Sequence, residues 1–219
     1  MSDHLHPVFR ATARRAISTW LGPEVHGAVH IPGEGPAIVA ANHRSHADSL
    51  AIGVAAQRPV RFLGTRELED WPVVGRWLPA LGMVPIERGA ADAAALDRIA
   101  QLLEAGQVVV IYPEGGRSRD GRVHRPRGGI ARLAAQTGAR VVPCGVTGTE
   151  VAWPVDGRPR IRRHRVSVAF GAPLQAPRDD PRSRREFVET LHDHLVHLSG
   201  AAAATHHLPT PVTPARKAS

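Results

Sequence analysis

Two short polar segments, each directly behind an apolar run, hold the residue types best suited to acid–base and anion chemistry. The first is Ala41-Asn42-His43-Arg44-Ser45-His46-Ala47-Asp48, at the end of the run 37–41. A carboxylate on one imidazole nitrogen fixes the tautomer and stabilises the imidazolium that forms when the other nitrogen takes a proton. His43 and Asp48 therefore suit a general base and its orienter. The same pair also fits a plainer arrangement, in which Asp48 caps the following helix and His43 bonds a loop carbonyl. The second segment is Tyr112-Pro113-Glu114-Gly115-Gly116-Arg117-Ser118, behind the run 108–112. Its glycines let backbone approach a ligand closely. Arg117 offers a planar fork to phosphate, and Glu114 is placed to orient it or to bond a hydroxyl. The alternative is a tight turn whose arginine faces solvent. Neither the G-x-x-x-x-G-K loop nor the G-x-G-x-x-G turn of nucleotide binding is present. Two weaker pieces share the placement. Val84-Pro85-Ile86-Glu87-Arg88 puts Arg88 after a short apolar run, and Val142-Pro143-Cys144-Gly145-Val146 sets a proline inside one, which is unusual for a central strand.

These segments need rigid elements behind them. A helix is predicted over 5–21, with Leu5, Val8, Phe9, Ala13, Ile17, Trp20 and Leu21 at helical spacing and Arg10, Arg14 and Arg15 off that stripe. A basic face opposite Trp and Phe suits a helix lying in a membrane interface; packing on the core is the other use of the same stripe. Strands are expected over 25–31, 37–41, 60–63, 83–86, 108–112, 141–146 and 161–170. Helices are expected over 49–57, 67–81, 91–103, 129–137 and 182–199. This alternation predicts an α/β fold: a layered mixed, partly parallel sheet flanked by helices, with an N-terminal amphipathic helix. In open α/β sheets, ligand sites lie beyond the carboxyl ends of the strands, where both polar segments fall. The expected organisation is a helix over 1–22, one domain over 23–199 and a tail over 200–219. The tail is rich in Ala, Thr, Pro and His, has no apolar period and reads as disordered.

Composition narrows the function classes. The 219 residues include 42% hydrophobic ones, too many for a disordered chain. The single cysteine, Cys144, excludes an internal disulfide and argues against a cysteine-built zinc site. No apolar run approaches the ~18–20 residues of a spanning helix, and 1–17 do not read as a secretory signal. A cytoplasmic or peripheral location is the expectation. The net charge is +8. Between Arg117 and Arg165, 12 arginines face Asp120, Glu150 and Asp156, a balance of +9; the rest holds 16 cations and 17 acids. A phosphorylated ligand, an anionic membrane surface or a nucleic acid would each account for that segment, as would a solvated arginine face. Aromatics at 4% leave few stacking platforms for single-stranded nucleic acid. His43, His46 and Asp48 can be drawn as a metal cluster, yet 13 histidines produce such groupings by chance.

Taken in order, the four pieces resemble the blocks of the glycerolipid acyltransferases, in particular the 1-acyl-sn-glycerol-3-phosphate (lysophosphatidate) acyltransferase branch. Asn42, His43 and Asp48 match N-H-x-x-x-x-D, with Ser45 as in the common N-H-x-S-x-x-D form. Arg88 matches the arginine of the second block. Tyr112, Pro113, Glu114, Gly115, Arg117 and Ser118 match F-P-E-G-T-R-S, and Val142 with Pro143 match the fourth block. Gly116 stands where the family has Thr, and Tyr112 where it has Phe. The resemblance covers roughly 37–146. It implies acyl transfer from an acyl-CoA or acyl-carrier-protein thioester to a hydroxyl of 1-acyl-glycerol-3-phosphate, giving phosphatidic acid in phospholipid synthesis, with another lysolipid or a hydroxylated lipid as the alternative acceptor, and without metal, bound cofactor or enzyme nucleophile. It implies His43 as base and Asp48 as its orienter. Asn42, Arg44, Ser45, Arg88, Glu114, Gly115, Gly116, Arg117 and Ser118 are the expected substrate-binding residues. The expected partners are the lipid acceptor, the thioester donor and an anionic membrane surface, on whose inner face the protein would lie peripherally. No nucleic acid is expected. A thioesterase, with water in place of the lipid hydroxyl, is the competing enzyme class.

Overall fold

The computed structural model describes residues 7–65, 75, 78–86, 92–160, 164–204 and 206–208. Among these, seven strands form one sheet: β1 (Glu24–His26), β2 (Ala37–Ala41), β3 (Val60–Thr65), β4 (Met83–Ile86), β5 (Val108–Ile111), β6 (Arg140–Thr147) and β7 (Ser167–Phe170). Their order is β1-β7-β6-β2-β5-β3-β4. Every neighbouring pair is parallel except β6 with β7. The mixed, mostly parallel sheet is the one the strand–helix alternation predicts. Strand β2 lies at its centre and all five of its residues are buried, as a continuous apolar run in a sheet covered on both faces requires.

Side chains alternate across β2 and so join two cores. Ala37, Val39 and Ala41 face one layer, containing α1 (Pro7–Leu21) and α2 (Asp48–Ala55). Ile38 and Ala40 face the other, containing α3 (Asp92–Glu104), α4 (Gly129–Thr137) and α6 (Pro181–Ser199). Pro143 sits inside β6, and its carbonyl accepts from Gly171 N–H on the β7 side. The N and C=O of one strand residue point the same way, and the β6–β7 ladder begins only at Cys144. The missing proline N–H therefore falls just outside that ladder.

The described apolar stripe of α1 is used on the core. Ala13 and Leu21 are buried, and Ile17 and Trp20 pack against the same cluster. Arg14 donates to the Gly53 and Val54 carbonyls at 2.6 and 3.2 Å, at the carboxyl end of α2, where a cation meets the negative end of the helix. Among the described residues no helix is long and apolar enough to cross a membrane.

Four expectations need correction. The strand over 25–31 stops at β1. The chain turns at Gly27 (φ +65°), where a Cβ would lie 2.1 Å from the Phe170 carbonyl, and then makes a 3-10 turn over Ala28–His30. The strand over 161–170 is regular only in β7, with 161–163 outside the described residues. The helix expected over 67–81 lies mostly outside the described residues, and its described end, Pro79–Leu81, is a 3-10 turn. The expected disorder from Gly200 fails over its first part. Val123 N–H donates to the Ala202 carbonyl, Ala204 N–H donates to Val123, and Ala204 is buried. Backbone pairing holds this stretch, so the side-chain pattern carries no sign of it.

Candidate active site

Strands β6, β2 and β5 are neighbours and parallel, so the loops leaving their carboxyl ends meet at one edge of the sheet. The loop after β2 is ordered by its own polar side chains. Asn42 extends the β2–β6 ladder by one step: its Nδ2 donates to the Val146 carbonyl at 3.0 Å and its Oδ1 accepts from Val146 N at 2.7 Å. The Asp48 carboxylate is fully buried. Its Oδ2 accepts from His43 Nδ1 at 2.7 Å, Arg44 N at 2.8 Å and Ser45 N at 2.9 Å. Its Oδ1 accepts from the Thr149 hydroxyl at 2.5 Å. Asp48 thus folds back onto the loop instead of capping α2. Ser45 Oγ lies 2.9 Å from the Thr149 carbonyl and 2.6 Å from that of Trp153, and it accepts from Ala47 N.

The loop after β5 locks onto the first. Glu114 is fully buried, and its two oxygens accept from His43 N and His124 N, each at 2.8 Å. Burial pushes its carboxyl up to about 7, against the two N–H bonds, which favour the charged form. Ser118 N–H donates to the His43 carbonyl at 2.8 Å, and Ser118 Oγ donates to Asp120. Gly115 has φ +80°, and a Cβ there would lie 2.4 Å from Arg127 Nε, so the Arg127 side chain roofs this turn. A Cβ on Gly116 would meet Leu208 at an ordinary 3.6 Å. The Tyr112 ring stacks on His43 with centroids 3.7 Å apart and planes 14° apart, and its hydroxyl lies 2.7 Å from Ser49 Oγ.

His43, His46, Ser49, Tyr112 and Arg117 line a cavity of about 90 Å³ whose apolar wall is Leu50, Phe62, Leu63, Leu78 and Trp153. With Nδ1 held by Asp48, Nε2 is the His43 nitrogen available to a ligand. Burial lowers the His43 pKa from 6.5; Asp48 pulls it up and Arg117 adds to the lowering. His46 bonds the Val155 carbonyl through Nε2 at 3.0 Å. The Nε of Arg117 is buried with no hydrogen-bond partner, and burial lowers the guanidinium pKa. A guanidinium with a buried, unbonded nitrogen at a cavity wall has hydrogen-bonding capacity to offer an anion.

The expected substrate-binding set divides. Arg117 lines the cavity. Asn42, Ser45, Glu114 and Ser118 are buried and engaged with protein atoms, which makes them builders of the loops. Arg44 bonds Asp48 through its backbone and lies 3.3 Å from Glu150 through its guanidinium. Gly115 and Gly116 shape the turn, and Arg88 lies outside the described residues. Residue types and spacing left out Thr149, Trp153 and the Ser49–Tyr112 pair. The one sequence signal for Thr149 is its place directly after Gly148, behind β6. The basic segment is partly spent internally: Arg125 meets Glu189 at 2.8 Å and Arg119 meets Asp156 at 2.9 Å, while Arg122 is exposed.

A family model described as acyltransferase matches residues 22–147. The chain is 26% identical over 178 residues to the chloroplastic 1-acyl-sn-glycerol-3-phosphate acyltransferase LPAT1 of Arabidopsis thaliana, covering 80% of this chain and 50% of that protein. It is equally similar to the chloroplastic 1-acyl-sn-glycerol-3-phosphate acyltransferase BAT2 of Brassica napus, at 26% over 178 residues, with 80% and 52% covered. The chain thus spans about half the length of these relatives. Among solved structures, the 1-acyl-sn-glycerophosphate (LPA) acyltransferase PlsC of Thermotoga maritima matches with a TM-score of 0.69 at 26% identity, covering 90% of this chain and 80% of that one.

Proposed function

The chain belongs to the acyltransferase family, and from that premise we propose that it moves a fatty acyl group from an acyl-CoA or acyl-carrier-protein thioester to the free hydroxyl of 1-acyl-glycerol-3-phosphate, giving phosphatidic acid for phospholipid synthesis. The observation that carries this reading is His43, held by Asp48 at 2.7 Å, on the wall of a cavity that is also lined by Arg117 with its unbonded Nε. His43 Nε2 takes the hydroxyl proton as the oxygen attacks the thioester carbonyl. Asp48 keeps the ring in the required tautomer and stabilises the imidazolium. When the tetrahedral intermediate collapses, the C–S bond breaks and the departing thiolate takes the proton back from His43. Such general-base help is worth ~10²–10⁴-fold, and holding both substrates in one site contributes more. Arg117 holds the acceptor phosphate, and the apolar wall takes acyl carbons. Cys144 is no nucleophile for this step: it is buried in β6, and burial pushes its thiol well up. The protein works peripherally on the inner membrane face, where the exposed Arg122 meets anionic head groups.

The test is product analysis by mass spectrometry with a long-chain acyl-CoA or acyl-carrier protein and a panel of lysophospholipids. Phosphatidic acid formed from lysophosphatidate supports the proposal. Transfer only to other lysolipids would move the assignment within the family. Free fatty acid formed at the same rate with and without acceptor would make the protein a thioesterase.

A further inference from the structure

We propose that Thr149 is a positioning residue of the same site: its hydroxyl takes up the Asp48 oxygen that does not face His43, and so limits how strongly Asp48 holds the His43 proton. The role rests on the reading of His43 as the base. Thr149 is fully buried and opens the short helix α5 (Thr149–Ala152) directly behind β6. The turn that carries it is pinned. Gly148 has φ +81°, and a Cβ there would lie 1.9 Å from the Arg165 carbonyl, so only glycine fits between β6 and the approach to β7. Ser45 Oγ, on the catalytic loop, reaches the carbonyls of Thr149 and Trp153 at either end of α5. The hydroxyl is therefore held in place from both sides.

Asp48 Oδ2 accepts three N–H donors, and two of them are backbone groups of its own loop. That fixes the rotation of the carboxylate. Oδ1 has the Thr149 hydroxyl, at 2.5 Å. A donor on a carboxylate withdraws negative charge from it. With the hydroxyl gone and the carboxylate unable to swing away, more charge faces His43 Nδ1–H and the imidazolium is favoured. The other titratable and charged groups that face the pair are the same with and without the hydroxyl. Arg117 and His46 stand on the cavity wall, Tyr112 stacks on the ring, and Glu114 bonds the His43 backbone. Cys144 lies buried in β6, and Glu150 pairs with Arg44.

The experiment follows the His43 imidazole by NMR through a pH titration of the full chain without substrate, in wild type, Thr149→Val and Thr149→Ser. The near-isosteric valine should raise the His43 midpoint by about 0.5 unit or more, and serine should keep it within about 0.2 unit of wild type. A midpoint that stays put or falls in Thr149→Val overturns the proposal. Where Thr149→Val does not fold, the wild-type hydroxyl decides. A slowly exchanging Thr149 hydroxyl proton supports the bond, and its absence from the spectrum in a well-resolved protein overturns it. The readout uses no substrate. A shifted midpoint in a protein that transfers no acyl group would keep the relay and sink the acyltransfer reading alone, and the converse result would do the reverse.

Discussion

The loops after β2 and β5 leave neighbouring strands at one edge of the sheet, and both are dense in polar groups, yet they spend them differently. Between Asn42 and Asp48 the polar side chains largely bond the loop itself and the turn after β6, and His43 is left with one imidazole nitrogen for chemistry. The loop after β5 splits. Glu114 is saturated by two backbone N–H groups, while Arg117, three residues on, keeps a buried nitrogen without a partner. Polar residues that look alike in a motif thus fall into two kinds. Those with every bond made build the loops, and those with a bond left over are the ones able to bond a ligand.

Replacing Asp48, which holds the His43 ring, and then Arg117 sharpens the contrast. In Asp48→Asn the side-chain oxygen can still serve the three N–H donors, with the amide turned toward Thr149. The loop should persist with a melting temperature within a few degrees of wild type, while acyl transfer falls by ~10²–10⁴-fold. Collapse of the fold together with activity would mean that Asp48 serves the loop alone and not the His43 ring. Arg117→Met removes a buried cation whose Nε has no hydrogen-bond partner and which is supported only at a distance by the charge of Asp48. The KM for the phosphorylated acceptor should rise about 10–100-fold, with kcat changed less and the melting temperature unchanged or higher. An unaltered KM would remove Arg117 from the acceptor site.

Glu114→Gln should act on stability. Burial raises the Glu114 carboxyl from 4.5 to about 7, so the fold favours the uncharged form. Its contribution is full below pH 4.5 and is lost as pH rises through 7. Denaturant titrations should find wild type losing on the order of 3 kcal/mol relative to Glu114→Gln over that interval. Wild type that loses nothing, or gains, relative to Glu114→Gln would mean that the two N–H bonds outweigh burial. The smallest effect is expected at Arg122→Glu, with binding to anionic liposomes about fivefold weaker and turnover of detergent-dispersed substrate unchanged. Unchanged liposome binding would detach this residue from the membrane.

Much of this was legible in the residues. The runs 37–41 and 108–112 announced the buried strands, and the placement of His43, Asp48 and Arg117 behind them pointed to the sheet edge where the structure brings the three together. Two plainer alternatives were settled only by coordinates: Asp48 turns away from α2, and Arg117 turns inward to the cavity wall. The roles of Asn42, Ser45 and Glu114 were not legible, because a motif states residue type and spacing but not which bonds are already made. Thr149 was missed for a related reason. Its partner lies 101 positions earlier in the chain, and only the adjacency of β2 and β6 brings them together. The pairing of the stretch after Gly200 with Val123 uses backbone atoms and leaves no trace in hydropathy.

The most direct test of the central claim is thiol release from a long-chain acyl-CoA, measured across pH with and without lysophosphatidate, for wild type and His43→Ala. Release should depend on the acceptor, with an acid limb of kcat/KM below the ordinary histidine value of 6.5, because burial lowers the His43 pKa. His43→Ala should lose ~10²–10⁴-fold of that release while remaining folded. Acceptor-dependent release at wild-type rate in a folded His43→Ala protein would contradict the account.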